Sequence, residues 1–374
     1  MGYKEWKTDK LGNILTLKRG YDLPQQHRIK GTVPIYSSAG LTGFHNESKV
    51  KGPGVITGRY GTLGEVFYTE RDYWPHNTTL YVKDFKGSNP KFISYFLKTI
   101  GLATSNDKTS VPGLNRNDIH EMNVSIPNLK NQIQIACILS SLDEKIELNR
   151  QTNQTLEAIA QTLFKEMCVP KSEELLEGWK IEKLKDIVEF VVDNRGKTPS
   201  TSLEKNNNFP LIEVNALVNC CVVTNVHLAK KFVTKEVYES WFRKGHPQKG
   251  DVLISTVGTI GEVSLVQNEK FCIAQNIIAL RSAFYGSFIY FYLKSIKIEL
   301  LSLDVSSVQP SIKVPHLLDY KILLPNINLV VKFSEKVGDL LDLIYLNEQN
   351  TRTLITIRDS LLSKLMKGEI KINL

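Results

Sequence analysis

Two segments of the chain place apolar residues at alternating steps of four and three. The first runs Ile135, Leu139, Leu142, Ile146, Asn149, Asn153, Leu156, Ala160, Leu163, Met167. The second runs Phe333, Val337, Leu340, Ile344, Asn347, Thr351, Leu354, Arg358, Leu361, Leu365. This is the a/d pattern of a coiled coil. Each segment predicts a helix of about forty residues, or ~60 Å at ~1.5 Å per residue. Arg358 interrupts the second seam, and neighbouring Ile357 is expected to take its place. Asn149 and Asn347 occupy equivalent seam positions, where a polar side chain either fixes register or sits at the solvent edge. Neither helix can bury its stripe alone. They are therefore expected to pack on each other, antiparallel, because a whole domain separates them.

The two segments are also copies. Pro127-Asn128 recurs at Pro325-Asn326, and the same offset of 198 positions aligns Leu148-Asn149 with Leu346-Asn347, Thr155-Leu156 with Thr353-Leu354, and Leu163 with Leu361. The stretches before them repeat more loosely. Trp6-Lys7 matches Trp179-Lys180, Gly61-Thr62-Leu63-Gly64-Glu65-Val66 matches Gly258-Thr259-Ile260-Gly261-Glu262-Val263, and Phe92-Ile93 matches Phe288-Ile289. The offset drifts within these stretches, so they contain insertions. The order is domain, helix, domain, helix, with boundaries expected at 1–130, 131–174, 175–326 and 327–374.

Each domain opens with an apolar strand, Ile14 to Leu17 or Ile187 to Val192, followed by a basic, glycine-containing loop. Apolar strands at Gly54 to Gly58 and Gly250 to Ser255 then run through Arg59-Tyr60-Gly61-Thr62 and Thr256-Val257-Gly258-Thr259 into a second strand. The glycines permit a tight hairpin. Amphipathic helices follow at Pro90 to Ile100 and Phe288 to Ile298. The fold class expected is α+β: two mixed α/β domains, each with a curved sheet, alternating with two long helices packed as an antiparallel coiled coil.

Composition narrows the function. The 374 residues are 42% hydrophobic and 23% charged, which suits a packed protein of two or three domains. No apolar run approaches the ~18 residues of a membrane span. Charges interrupt Met1 to Leu17, which lacks the apolar core of a signal peptide, so a cytoplasmic location is expected. The net charge is +8. The excess lies in the two globular stretches, which points to a polyanion partner. The five cysteines form no C-x-x-C pair. Vicinal Cys220-Cys221 reads as two small apolar strand residues, because a zinc site needs four spaced ligands. The glycine loops lack both a Gly-Lys-Ser/Thr ending and a dinucleotide fingerprint, which argues against a nucleotide site.

Two diverged domains alternate with two similar helices. Each domain carries an apolar strand before Gly-Thr-Leu/Ile-Gly-Glu-Val, and each ends in a proline entry to a coil containing Leu-Asn-x-Gln. In this order and duplication the whole chain resembles the specificity subunit of type I restriction-modification enzymes. The resemblance implies two target recognition domains, each reading one half of a split double-stranded DNA site. It implies helices that act as a ruler and as docking surface for two methyltransferase subunits, with restriction subunits joining that core. Asn89-Pro90-Lys91-Phe92 lacks the second proline of an adenine-methylation motif. The chain is therefore expected to be non-catalytic and to hold no cofactor or metal, with S-adenosylmethionine, ATP and Mg confined to partners. The alternatives are a coiled-coil protein-interaction scaffold that reads no DNA and a self-contained DNA-modifying enzyme.

On this reading, DNA contacts belong to polar loop residues near the glycines. In the first domain these are Lys18, Arg19, Tyr21, Arg59, Tyr60, Thr62, His76, Asn77 and Ser110. In the second they are Arg195, Lys197, Thr198, Thr256, Thr259, Gln275, Asn276, Ser307 and Gln309. Arginine suits guanine, Asn or Gln suits adenine, and lysine suits phosphate.

Half-site centres about one helical turn apart, ~10 bp, would let both domains face the same side of B-DNA. Domains reading ~3–5 bp each then leave a non-specific gap of roughly 5–8 bp. Inserting four residues between Asn149 and Leu156 adds about one helical turn, ~5.4 Å, against ~3.4 Å per base pair. The gap in the methylated motif should lengthen by about one or two base pairs. Methylome sequencing of the insertion variant checks this, and an unchanged gap would contradict it.

Overall fold

A computed structural model describes residues 6–102, 113–170, 178–196, 198–218, 220–304 and 309–370. The chain divides into two compact units, Met1–Ile146 with Arg352–Leu374, and Glu147–Thr351.

The first unit runs β1 (Lys7–Lys10), α1 (Leu11–Ile14), β2 (Thr16–Arg19), β3 (Val33–Ser37), β4 (Gly40–His45), β5 (Gly54–Gly58), β6 (Val66–Thr69), β7 (Trp74–Pro75), β8 (Thr79–Asp84), α2 (Pro90–Leu97), α3 (Arg116–His120) and β9 (Asn123–Ile126). It then enters α4 (Leu129–Cys168). An antiparallel sheet has the order β2-β8-β5-β6, and a smaller sheet has the order β4-β3-β7. All five residues of β5 are buried, as befits an interior strand. Helix α2 begins at Pro90, whose missing N–H costs nothing there, and the Asn89 side chain accepts from Phe92 N at 2.9 Å. Its Phe92, Ile93 and Phe96 join Val55, Val66 and Leu80 in one core. Strands β1 and β9 pair, Lys7 opposite Ile126.

The second unit runs β10 (Lys180–Lys183), α5 (Leu184–Ile187), β11 (Phe190–Val192), β12 (Phe209–Ile212), β13 (Lys231–Val233), α6 (Lys235–Ser240), β14 (Val252–Ser255), β15 (Val263–Leu265), β16 (Cys272–Ile273), β17 (Ile277–Arg281), α7 (Gly286–Ser295), α8 (Lys297–Leu301), α9 (Val314–Leu318), β18 (Lys321–Leu324) and α10 (Ile327–Met366). Its sheets have the orders β11-β17-β14-β15, β13-β12-β16 and β10-β18. Strand for strand this is the topology of the first unit, so the sequence repeat is a repeat of fold. The drifting offset also has a location. Strands β3 and β4 are joined by a tight turn, whereas residues 213–230 join β12 to β13 and α6 follows.

Both helices span 40 residues, and within each unit they run antiparallel. In the second unit Asn149 Nδ2 donates to Thr351 Oγ1 at 3.2 Å and Asn347 Nδ2 to Asn153 Oδ1 at 2.9 Å. Asn153 Nδ2 donates in turn to Ile344 O and Glu348 Oε1. Asn149 and Asn153 are buried, so a shifted register would strand these amides without partners. Ile146 and Ile344 are fully inside the seam, whereas Leu142, Leu156, Leu163, Leu340, Leu354 and Leu361 are half-buried.

Two expectations about the seam are corrected. Ile357 does not replace Arg358, because Ile357 is 43% exposed. Arg358 itself occupies the seam, donating from Nη1 to Asp143 Oδ1 at 2.9 Å, while Tyr95 OH donates to Asp143 Oδ2 at 2.6 Å. Further along α4 the buried positions move from Leu163 and Met167 to Phe164 and Cys168. A straight helix drifts by ~20° per heptad, and these turns also pack on the second unit's own core. Phe164 lies 5.8 Å from Phe288, 6.1 Å from Phe291 and 5.6 Å from Phe333, centroid to centroid.

Phe164→Ala should cost about 3–5 kcal/mol, the range for large aromatic truncations in a packed core. Chemical denaturation with a probe in the second unit checks this. A loss under about 1 kcal/mol would mean the aromatic cluster repacks.

Candidate nucleic-acid interface

In an antiparallel sheet of order β2-β8-β5-β6, the C-terminal ends of β2 and β5 share an edge with the N-terminal ends of β8 and β6. The register fixes this, with Arg19 opposite Leu80 and Gly58 opposite Thr79. The loops at 20–22, 59–65 and 76–78 therefore meet along one edge. A fourth segment joins them, since Leu114 N donates to Arg59 O at 2.8 Å. The second unit repeats each backbone tie. Arg59 N donates to Thr78 O at 2.8 Å, and Thr256 N to Asn276 O at 2.9 Å. Ile312 N donates to Thr256 O at 2.8 Å, matching Leu114 and Arg59. Gly61 and Gly64 have φ of 79° and 81°, and Gly258 and Gly261 have φ of 82° and 78°. Left-handed backbone at these paired positions is why both hairpins carry Gly-Thr-x-Gly.

In the first unit Arg19, Arg59, Tyr60, Asn115, Arg116 and Asn117 line a cleft of about 430 Å³. The Arg59 guanidinium lies over the Tyr60 ring, 4.6 Å from its centroid. Among the described residues no carboxylate lines this cleft, so these side chains present three cations to an anionic or acceptor-rich ligand. Thr62 is exposed on the hairpin tip. Asn77 donates to Asp22, linking the turn before β8 to the loop after β2. Half-buried His76 has its imidazole pushed down by burial and then by Arg28. Lys18 and Tyr21 are drawn elsewhere. Lys18 Nζ donates to Tyr21 OH at 3.1 Å, and that hydroxyl bonds Tyr81 OH at 3.1 Å. The Tyr81 hydroxyl, then Lys18, holds the Tyr21 phenol below its ordinary value.

The second unit has the same edge and different chemistry. Gln275 Nε2 donates to Thr198 Oγ1 at 2.8 Å, the counterpart of the Asn77–Asp22 tie. Arg195 donates to Asp193 through Nε at 2.8 Å and through Nη2 at 2.6 Å. Burial alone would raise the Asp193 carboxyl, but these bonds hold it below its ordinary value. The pair lines a cleft of about 370 Å³ with Asn194, Trp241, Arg243 and Lys244. Thr259 and Gln309 are exposed on the hairpin and facing segment. Thr256 is corrected as a surface contact. Its side chain is fully buried, unlike that of its half-buried counterpart Arg59. Ser110, Lys197 and Ser307 lie outside the described residues. Among those described, the buried atoms Thr57 Oγ1 and Asn77 Oδ1 in the first unit, and Thr256 Oγ1 and Asn276 Oδ1 in the second, have no hydrogen-bond partner. Unpaired polar atoms are costly in a finished core, and these lie near the edge where the loops converge.

Known proteins supply the deciding comparison. Residues 3–158 and 176–354 each match the type I restriction modification DNA specificity domain. The chain belongs to that family. It is 24% identical to the type I restriction enzyme MjaIX specificity subunit of Methanocaldococcus jannaschii over 302 residues, covering 75% of this chain and 67% of that one. It is also 24% identical to the HindI specificity subunit of Haemophilus influenzae, covering 69% and 71%. The crystal structure of a type I restriction-modification S subunit from M. genitalium shares the fold, with a TM-score of 0.63 at 18% identity, covering 98% of this chain and 97% of that one.

For a member of this family, sequence reading missed part of each cleft. Arg116 and Asn117 follow a stretch with no periodicity to place it. Trp241, Arg243 and Lys244 follow α6, which has no counterpart in the first unit. Among the described residues no group of three His, Cys, Asp or Glu side chains is placed to hold a metal ion, and no helix is long and apolar enough to cross a membrane.

Arg116 is carried on α3, and α3 is tied to β2 through Leu17 N, which donates to His120 Nε2 at 2.9 Å. Accepting requires that nitrogen unprotonated. Burial, then Arg116 and Lys86, push the His120 imidazole below its ordinary 6.5. Its stabilising contribution is thus full above that value and lost as pH falls from there through the folded value. His120→Gln, which accepts at any pH, should flatten this part of the first unit's stability between pH 7 and 5. Thermal melts across that range check it, and an unchanged slope would count against the tie.

Proposed function

We propose that the chain reads an asymmetric, bipartite site in double-stranded DNA, one half-site per unit. Partner subunits then methylate adenine or restrict the DNA at the site it selects. The observation that carries this reading is the pairing of Arg59 with Thr256, and of Tyr60 with Val257, on matching backbone hydrogen bonds. A duplicated scaffold with different side chains at the same points suits two different half-sites. The cationic cleft of the first unit suits DNA, whose phosphates attract arginine while base edges supply specificity. The relatives are specificity subunits, and we assign the chemistry, with S-adenosylmethionine, ATP and Mg, to partners. The fold repeat offers two similar surfaces, so one copy of this chain is expected to take two methyltransferase subunits, with restriction subunits added.

Replacing residues 1–130 by another domain of the family should change one half-site and leave the other intact. Methylome sequencing with and without the replacement is the test. A continuous palindrome, or both halves changing, would refute the reading. Native mass measurement of the modification core should give one specificity chain to two methyltransferases. A one-to-one complex at saturating partner would exclude that stoichiometry.

A further inference from the structure

Within the three-arginine cleft, we infer that Arg59 is the base-reading group and that it reads a guanine, with Tyr60 as its positioning residue. This deepens the DNA-reading function proposed above and rests on it.

The fold does not need an arginine at this point. In the second unit the equivalent residue is Thr256, and the same two backbone bonds form around it. Arg59 is thus a side chain that the scaffold leaves open. Its backbone is held on both sides, by Thr78 O and by Leu114 N, at 2.8 Å each. Its guanidinium lies over the Tyr60 ring, 4.6 Å from the centroid. Much of the freedom a long side chain loses on binding is thereby already removed. Among the described residues Arg59 makes no ion pair, so its planar fork of donors is unspent.

The other two arginines differ. Arg116 Nε and Nη2 lie 3.4 and 3.3 Å from Asn117 Oδ1, so its fork is partly engaged. Arg19 is exposed at the end of β2, the outermost strand of its sheet. Exposed cations at a rim suit phosphate, which demands charge and little geometry. An oriented, half-buried guanidinium with its fork open suits paired coplanar acceptors. In the major groove guanine N7 and O6 are such a pair, and adenine offers N7 beside a donor instead. Arg195 in the second unit has its fork closed by Asp193. The inference therefore assigns guanine to the first half-site and makes no parallel assignment to the second.

The test uses the full complex of this chain with its methyltransferase subunits. The motif methylated by the wild-type complex is determined first, then that of Arg59→Ala and Arg59→Lys. The first half-site should contain an invariant G·C pair. Both variants should lose discrimination at that pair by about ten-fold or more, while the second half-site is read as before and reports that the complex has assembled. Lysine keeps the charge and loses the fork, so a phosphate role would leave the Arg59→Lys motif unchanged, and that outcome overturns the inference. So does a first half-site without an invariant G·C pair, or a uniform drop in methylation with an unaltered motif. Wild-type protein supplies a readout that needs no variant. 7-Deazaguanine at that pair removes N7 and should weaken binding to the duplex, and unchanged affinity counts against Arg59. If the wild-type complex methylates without any motif, the DNA-reading function itself fails, and this result is visible before any variant is made.

Discussion

Neither domain can close its own core, and the rest of the structure follows from that. The first unit's cluster of Leu17, Val55, Phe92 and Leu139 is completed by Leu365 and Met366, from the far end of the chain. The second unit's cluster of Val252, Phe288 and Phe333 is completed by Ala160, Phe164 and Cys168, from the helix that precedes it. Fully burying one large apolar side chain contributes about 1.5–3 kcal/mol, so a few such residues matter against a net stability of only ~5–15 kcal/mol. Each long helix therefore serves both units. Its seam must satisfy its partner helix and the local core together, which is why the buried face drifts from Leu163 to Phe164.

Support and recognition are separated within each domain. The ties through residues 59, 78 and 114 are backbone bonds, as are those through 256, 276 and 312. Backbone bonds are indifferent to side chain, so Arg59 and Tyr60 can become Thr256 and Val257 without altering the sheet. Only the glycines with left-handed φ are held fixed by geometry. Diversity can accumulate at the edge while the strand order behind it stays the same.

The sequence exposed whatever depends on period. The helices, their copying, the hairpin glycines and the alternation of domains all recur at a readable interval. What depends on a partner from elsewhere was hidden. Arg358 looks like a fault in a seam until Asp143 and Tyr95 are seen opposite it. Thr256 looks like a surface threonine because nothing local shows that its side chain turns inward. Arg116 and Trp241 lie near insertions or in stretches with no repeat, where pattern gives no position. Loops chosen for glycine and polarity did converge on one edge, because antiparallel order brings them there. Lys18 and Tyr21 are engaged with each other and with Tyr81, a pairing that only the register of β2 with β8 reveals.

The discontinuity of the first unit also bears on how the protein is made. On a ribosome the usual order is that the N-terminal domain finishes first. Here residues 147–351 contain everything the second unit requires, whereas the first unit waits for Arg352 to Met366. The domain translated first is thus the last to be sealed. Until then the side of that core closed by Leu365 and Met366 stays open, and exposed apolar surface of this kind favours aggregation during synthesis. A stop codon just after Thr351 would leave the second domain whole and the first permanently open.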